Sequence, residues 1–324
     1  MTLLDGKYST HSPLTSVNSI TASPLQQLKS AFLDKANVNL FVKRDDLIHP
    51  EFGGNKWRKL KYNLIHAKKN SFDTLLTFGG AWSNHIYATA AAGKQFGFNT
   101  IGIIRGEKHC PLNATLSFAE DCGMQLYYVD RKQYRQKDEP SFQEKLIKQH
   151  GNAYILPEGG SNSLALKGCE EIIQEINTQL NEPFDIICCA SGTGATLAGI
   201  IAAIASDESN HKQIAVGFSA LKNGAFLKTE VNNFLKRYGT EYPLLTDWNI
   251  ECNYHFGGYA KINDELIQFM KNFQSQYNIT LDAVYTAKMF YGLFEQIKTG
   301  TIKPGSTIIA IHSGGLQGNK GFNL

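Results

Sequence analysis

A lysine in a place that suits it poorly is the first residue of chemical interest: Lys56, within FVKRDDLIHPEFGGNKWRKL at residues 41–60. Arg44, Asp45 and Asp46 end an apolar run, Gly53-Gly54 makes a loop, and Asn55-Lys56 opens a helical pattern. A helix start already carries partial positive charge, so a lysine there is disfavoured. It is either solvated or reserved for a task. Attack on a carbonyl needs the neutral amine, and a cationic helix start favours deprotonation.

Residues 188–199, CCASGTGATLAG, run from an apolar strand into a helix. Glycines let backbone approach an anion, the amides of the turn point at it, and the helix start adds positive charge. The pattern is neither the dinucleotide fingerprint, because the third glycine falls at Gly199, nor a Walker A loop, because no Gly-Lys-Ser/Thr follows. The hydroxyls of Ser191, Thr193 and Thr196 suit a terminal phosphate monoester. A tight strand-to-helix turn is the alternative. In GGAWSNHIY, residues 79–87, Ser83, Asn84 and His85 offer side-chain donors beside helix-start amides, an arrangement that suits a small carboxylate. An N-cap by Ser83 or Asn84 is the plainer reading, and the two roles are compatible. Gly159-Gly160-Ser161-Asn162 and His312-Ser313-Gly314-Gly315 are further polar strand-end turns, and Tyr259, Tyr285 and Thr286 complete the polar candidates. No local signal lifts these two tyrosines above core or rim residues.

The elements that must position these groups alternate. Strand-like runs are Leu40–Lys43, Thr74–Phe78, Thr100–Ile104, Leu126–Val129, Ala153–Leu156, Asp185–Ala190, Gln213–Phe218 and Thr307–Ile311. Helical patterns lie between them: Trp57, Leu60, Leu64 and Ile65 share one face, Asn84–Phe96 is alanine-rich, and Leu164–Leu180 places Ile172, Ile173 and Ile176 together. Such alternation predicts an α/β fold of parallel sheets covered by helices. Ligands bind such folds beyond the carboxyl ends of the strands, which is where the polar turns fall. The polar stretch Asp130–Ser141 reads as a loop capping a strand.

A chain of 324 residues exceeds a single ordinary core, and 42% hydrophobic with 19% charged residues is globular composition. A net charge of +3 argues for neither nucleic acid nor an anionic membrane as partner. No 18-residue apolar run occurs, and the start, MTLLDGKYSTHSPLTSV, has no signal-peptide pattern, so a cytoplasmic protein is expected. The six cysteines form no C-x-x-C pair and no metal site is expected; Cys188 and Cys189 read as small buried hydrophobes.

Together the segments VKRDDL, GGNK, GG-x-x-SNH, GGSN, ASGTGAT, GGY, VYT and HSGGLQG resemble one family in its own order, from about residue 23 to the end. They look like the fold-type-II enzymes dependent on pyridoxal 5′-phosphate (tryptophan synthase β-like), in the branch of 1-aminocyclopropane-1-carboxylate deaminase and D-cysteine desulfhydrase. The resemblance implies a large cofactor-binding domain (1–56 and 164–324), a small domain (57–163) and a homodimer. It implies that Lys56 forms a Schiff base with the cofactor and that Asn84 bonds its 3′ oxygen. Ser191, Gly192, Thr193, Gly194, Ala195 and Thr196 would cradle its phosphate with Lys59 as ionic partner, and Thr286 would face the pyridine nitrogen. Ser83, Asn84, His85 and Ser313 would bind the small amino-acid substrate, and Ser83, Tyr259 and Tyr285 would act in proton transfer or stacking. Thr286 stands where the cyclopropane-opening deaminases carry a glutamate, and Ser313 resembles the desulfhydrases' threonine. Both features imply α,β-elimination from a small D-amino acid to pyruvate and ammonia. Tyr87 departs from that branch, which has an arginine there. The implied alternatives are a cyclopropane deaminase releasing 2-oxobutyrate, a racemase or dehydratase on the same fold, and a non-catalytic binding homologue.

Overall fold

The computed structural model describes residues 21–206, 212–239, 247–322 and 324. The N-terminal stretch read above as lacking a signal lies outside these residues. In chain order the elements begin with β1 (Leu25–Leu28), α1 (Ala31–Ala36), β2 (Asn39–Lys43) and α2 (Asn55–Lys69). Next come β3 (Thr74–Gly79), α3 (Asn84–Phe96), β4 (Asn99–Arg105), α4 (Ala114–Asp121) and β5 (Gln125–Val129). They are followed by α5 (Arg131–Tyr134), α6 (Pro140–His150), β6 (Ala153–Leu156), α7 (Ser163–Gln179), β7 (Ile186–Ser191) and α8 (Ala195–Ala205). The last are β8 (Ile214–Ser219), α9 (Leu227–Tyr238), β9 (Asp247–Glu251), α10 (Asp264–Tyr277), α11 (Thr286–Lys298) and β10 (Thr307–Ile311).

The strands form two sheets, β1-β2-β10-β7-β8-β9 and β5-β4-β3-β6. Every pairing in the smaller sheet is parallel, with Thr74 opposite Asn99 and Ala153. Strand β3 is buried along almost its whole length, as a parallel strand covered on both faces must be. The larger sheet departs from the expected parallel arrangement at one edge, where β1 runs antiparallel to β2 with Leu25 opposite Lys43. Neither β1 (LQQL) nor β9 (DWNIE) was expected, because an edge strand exposes much of its length and needs no apolar run. The stretch Asp130–Ser141 is more ordered than a loop: Asp130 accepts from the Lys132 and Gln133 amides and caps α5, and Pro140 opens α6.

Helices cover both faces of the larger sheet. On one side α7, α8 and α9 bury Ile172, Ile173, Ile176, Leu197 and Ile201. On the other, α10 and α11 bury Phe273, Phe290 and Leu293. Cys188 and Cys189, each 1% exposed, point into opposite cores as alternating strand residues should. Gly199 lets α8 approach α7, since a Cβ there would lie 2.7 Å from the Leu166 carbonyl oxygen. Trp57, Leu60 and Leu64 of α2 are buried, while Ile65 lies at the margin.

A buried polar cluster joins α2 to this frame. The Arg58 guanidinium donates to both Asp45 oxygens (3.1 and 2.8 Å) and pairs with Glu175 of α7. Lys43, at the end of β2, donates to Glu175 Oε2 at 2.6 Å, and Ser23 Oγ donates to Asp45 at 2.6 Å. Since Asp45 and Arg58 are almost wholly buried, removing Asp45 leaves a buried guanidinium with Glu175 as its remaining close carboxylate among the described residues. Asp45→Ala is therefore expected to lower unfolding stability by about 1.5–3 kcal/mol, the scale of hydrogen bonds lost from a charged group. Urea unfolding measures it, and a loss below about 1 kcal/mol would show that the pair does not hold the helix.

Candidate active site

A cavity of about 640 Å³ opens beyond the carboxyl ends of both sheets, and the sequence-predicted turns converge on it. Lys56 enters from the start of α2. Gly54 caps that helix at φ +75°, and a Cβ there would lie 1.9 Å from the Ser313 carbonyl oxygen, so only glycine lets the two turns touch. The Asn55 amide donates to the same oxygen at 3.3 Å, and its side chain donates to Thr196 Oγ1 at 3.2 Å. These contacts bring Lys56, Ser313 and the glycine loop to one wall. Burial, aided by the positive charge of Lys59, lowers the Lys56 pKa from 10.5 to about 7. The amine is poised to be neutral near neutral pH.

Ser191, Gly192, Thr193 and Gly194 line the cavity, with Thr196 in the first turn of α8. Gly194 caps α8 at φ +85° without a side-chain acceptor, so the first amides of the helix remain for a ligand. Ala195 is fully buried and does not line the wall. Beside this loop Lys59, 2% exposed, donates to Thr193 Oγ1, Ser161 Oγ and the Gly159 carbonyl at 3.2–3.3 Å. All three acceptors are neutral, and burial lowers the Lys59 pKa. A buried ammonium with only neutral partners, next to helix-start amides, fits a phosphate group.

Ser83 caps α3, its Oγ accepting from the Ile86 amide at 3.3 Å, and it lines the cavity as well. Asn84 Oδ1 accepts from Gln317 at 2.7 Å, which orients its amide N–H groups as free donors. The His85 ring behaves differently from the expectation of a side-chain donor. Its Nε2 lies 2.9 Å from Thr77 Oγ1, whose single hydrogen goes to the Leu156 carbonyl at 3.0 Å. Nε2 must therefore carry the ring hydrogen, and Nδ1 is a bare, buried acceptor without a partner among the described residues. Burial, with Lys56 and Lys59 nearby, holds the ring pKa well below 6.5. What His85 offers a carboxylate is its backbone amide at the helix start.

Tyr259 and Tyr285 both reach the cavity and meet edge to face, with ring centroids 6.0 Å apart. Burial raises both phenol pKa values, so each is a protonated O–H near neutral pH. Thr286 does not face the cavity. It is wholly buried, and its Oγ1 accepts from the Asp282 amide at 2.8 Å, tying off the turn before α11. Ser313, by contrast, does line the cavity. Tyr87 lies outside the wall and stacks on Phe118 at 3.9 Å, so the departure at this position leaves the cavity lining unchanged.

Several lining residues escaped the sequence reading. Trp82 lies inside a motif that was singled out for its polar members, while Arg105 and Glu158 sit at strand ends without any motif. Arg105 rests 5.5 Å over the Tyr134 ring, and Tyr134 donates to Glu158 at 2.8 Å. Strand-end position was the one available signal for both.

The chain matches the family model described as pyridoxal-phosphate dependent enzyme over residues 18–314. A Thermotoga maritima protein, provisionally named a 1-aminocyclopropane-1-carboxylate deaminase, is 35% identical over 93% of this chain and 96% of its own. The Arabidopsis thaliana bifunctional D-cysteine desulfhydrase/1-aminocyclopropane-1-carboxylate deaminase is 33% identical over 87% of this chain and 73% of its own. A crystal structure of a 1-aminocyclopropane-1-carboxylate deaminase homologue superposes with TM-score 0.80 at 28% identity, covering 96% of this chain and 97% of that one. Motif order, the convergence of those motifs on one cavity, and these likenesses agree: the chain belongs to the fold-type-II pyridoxal-phosphate-dependent enzymes, in the family of 1-aminocyclopropane-1-carboxylate deaminase and D-cysteine desulfhydrase.

Proposed function

We propose that the protein is a lyase that eliminates the β substituent of a small D-amino acid such as D-cysteine, releasing pyruvate and ammonia. The observation that carries this reading is the wall beside Lys56, where Ser313 presents a neutral hydroxyl and α11 contributes no carboxylate at Thr286. When bound, pyridoxal phosphate supplies the electron sink for a substrate carbanion. A ring nitrogen without a carboxylate partner suits departure of a good leaving group better than opening of a strained ring. Lys56 would hold the cofactor, and its amine would move the Cα proton. Asn84 would donate to the cofactor's ring oxygen, and the amides of Gly192 to Thr196 with Lys59 would hold the phosphate. Ser83 and the Asn84 and His85 amides hold the substrate carboxylate, while Tyr259 and Tyr285 present O–H groups over the opposite side. The strand membership of the two sheets supports a division into a cofactor domain of 1–56 with 164–324 and a small domain of 57–163, of which residues 1–20 lie outside the described structure. We also propose a cytoplasmic location and, from the family resemblance, a homodimer, which sedimentation of purified protein tests.

The names of the relatives support cyclopropane deamination equally, so the assay must separate the two. Purified holoenzyme is expected to release sulfide and pyruvate from D-cysteine, with L-cysteine and 1-aminocyclopropane-1-carboxylate slower by an order of magnitude or more. Release of 2-oxobutyrate from the cyclopropane, without turnover of β-substituted D-amino acids, would establish the deaminase reading instead. Absence of keto acid from every amino acid tested would leave a binding homologue.

A further inference from the structure

Lys288, in the first turn of α11, is 1% exposed, yet it has no carboxylate within ion-pair distance among the described residues. Its Nζ donates to the His255 carbonyl at 2.9 Å and to the Gly258 carbonyl at 2.7 Å. Those two oxygens also accept the Gly258 and Lys261 amides within the loop, so the ammonium sits at the hub of the turn that carries Tyr259. The backbone there is strained: φ is +52° at Phe256, +91° at Gly257, +121° at Gly258 and +53° at Ala260. Positive φ is unfavourable for Phe256 and Ala260, and such a conformation persists only where the surroundings impose it. Tyr259 itself is 45% exposed and has little packing to hold it apart from the edge of Tyr285. Tyr285 is in turn held by Asp282, whose Oδ1 accepts the Tyr285 and Thr286 amides. One helix start thus anchors both cavity tyrosines. A methionine would fill the volume of Lys288 without the cost of burying an ammonium.

We propose that Lys288 is a positioning residue that clamps the 255–260 turn and so fixes the Tyr259 ring against Tyr285 over the cavity. The proposal rests on the reading of Tyr259 as a working residue of the site. It assigns Lys288 no contact with substrate; its effect passes through the loop.

The test is a double-mutant cycle of Lys288→Met and Tyr259→Phe in the holoenzyme with D-cysteine, paired with amide hydrogen exchange. Lys288→Met is expected to lower kcat about 10- to 100-fold, the scale of a misplacement near 1 Å, with KM and cofactor absorbance little changed. In the Tyr259→Phe background it should cause no further loss. Exchange at residues 255–260 should accelerate by at least tenfold while residues 290–297 keep their protection. Lys288→Gln keeps two N–H donors without the charge and should restore most of the protection and turnover, which separates clamping from general destabilisation. An equal loss in the Tyr259→Phe background, or unchanged exchange in the turn, overturns the clamp. If Tyr259→Phe alone leaves turnover intact, the role given to Tyr259 fails, and the exchange data still decide what Lys288 holds.

Discussion

Lys56→Ala is expected to abolish turnover, by about 10³-fold or more, since in the proposed reaction one residue would supply both the covalent hold and the proton transfer. The wild-type protein loaded with cofactor should be yellow, and borohydride should bleach it and fix the cofactor mass on the peptide containing Lys56. Neighbouring lysines supply internal controls. Lys61 is paired with Glu171 at 2.6 Å and Lys59 is held by three oxygens, whereas Lys56 lines the cavity without a hydrogen-bond partner for its amine among the described residues. The pH dependence follows from the burial of Lys56. Its folded pKa, about 7, lies below the ordinary 10.5, so the neutral amine predominates above pH 7 and protonation removes it below. Labelling of cofactor-free protein by an amine reagent should therefore reach half its limiting rate near pH 7 at Lys56. The same shift makes the unfolded chain bind a proton between pH 7 and 10.5 that the native chain does not. Burying Lys56 thus costs stability fully below pH 7, and the cost fades as the pH rises through that window. Reduction that labels Lys59 or Lys61 instead would remove the central assignment.

How much of this was legible beforehand depended on whether the signal was local. Strands such as Thr307–Ile311 and the helix Asn84–Phe96 emerge where expected because buried parallel strands and alanine-rich helices carry their burial pattern in consecutive residues. The polar turns could be placed at strand ends, and the larger part of the cavity wall follows from that alone. The failures are tertiary. Thr286 reads as a cavity residue by order in the chain, but its hydroxyl is taken by the turn of Asp282 four residues earlier. His85 reads as a donor by residue type, but Thr77 on the neighbouring strand dictates which ring nitrogen carries the hydrogen. Lys288 was invisible because nothing around it in sequence tells a buried clamp from a surface lysine. Arg105 and Glu158 belong to the same class, brought to the cavity by the smaller sheet.

Lys59→Met should have effects of opposite sign in the empty and the loaded protein. The ammonium is buried against Thr193, Ser161 and the Gly159 carbonyl, none of which carries charge. Without cofactor its desolvation is poorly offset, so a methionine of similar length should leave the cofactor-free protein as stable or more stable. With cofactor bound, the phosphate would be the missing counter-charge, and a charge-assisted hydrogen bond of this kind contributes about 1.5–3 kcal/mol. Affinity for pyridoxal phosphate should fall by roughly 10- to 150-fold, read from an absorbance titration. Because the group is buried, added salt should change that difference little. The Thr193 hydroxyl keeps its 2.9 Å contact with Ser161, so the glycine loop itself need not collapse. Removing the second cation should also raise the Lys56 pKa, since Lys59 is the largest charge acting to depress it. The half-point of Lys56 labelling should move upward from about pH 7 in the same variant. Unchanged cofactor affinity, together with an unmoved labelling midpoint, would mean that Lys59 neither holds the phosphate nor tunes the amine. The anion that the glycine loop was built to receive would then have to be held by backbone amides alone.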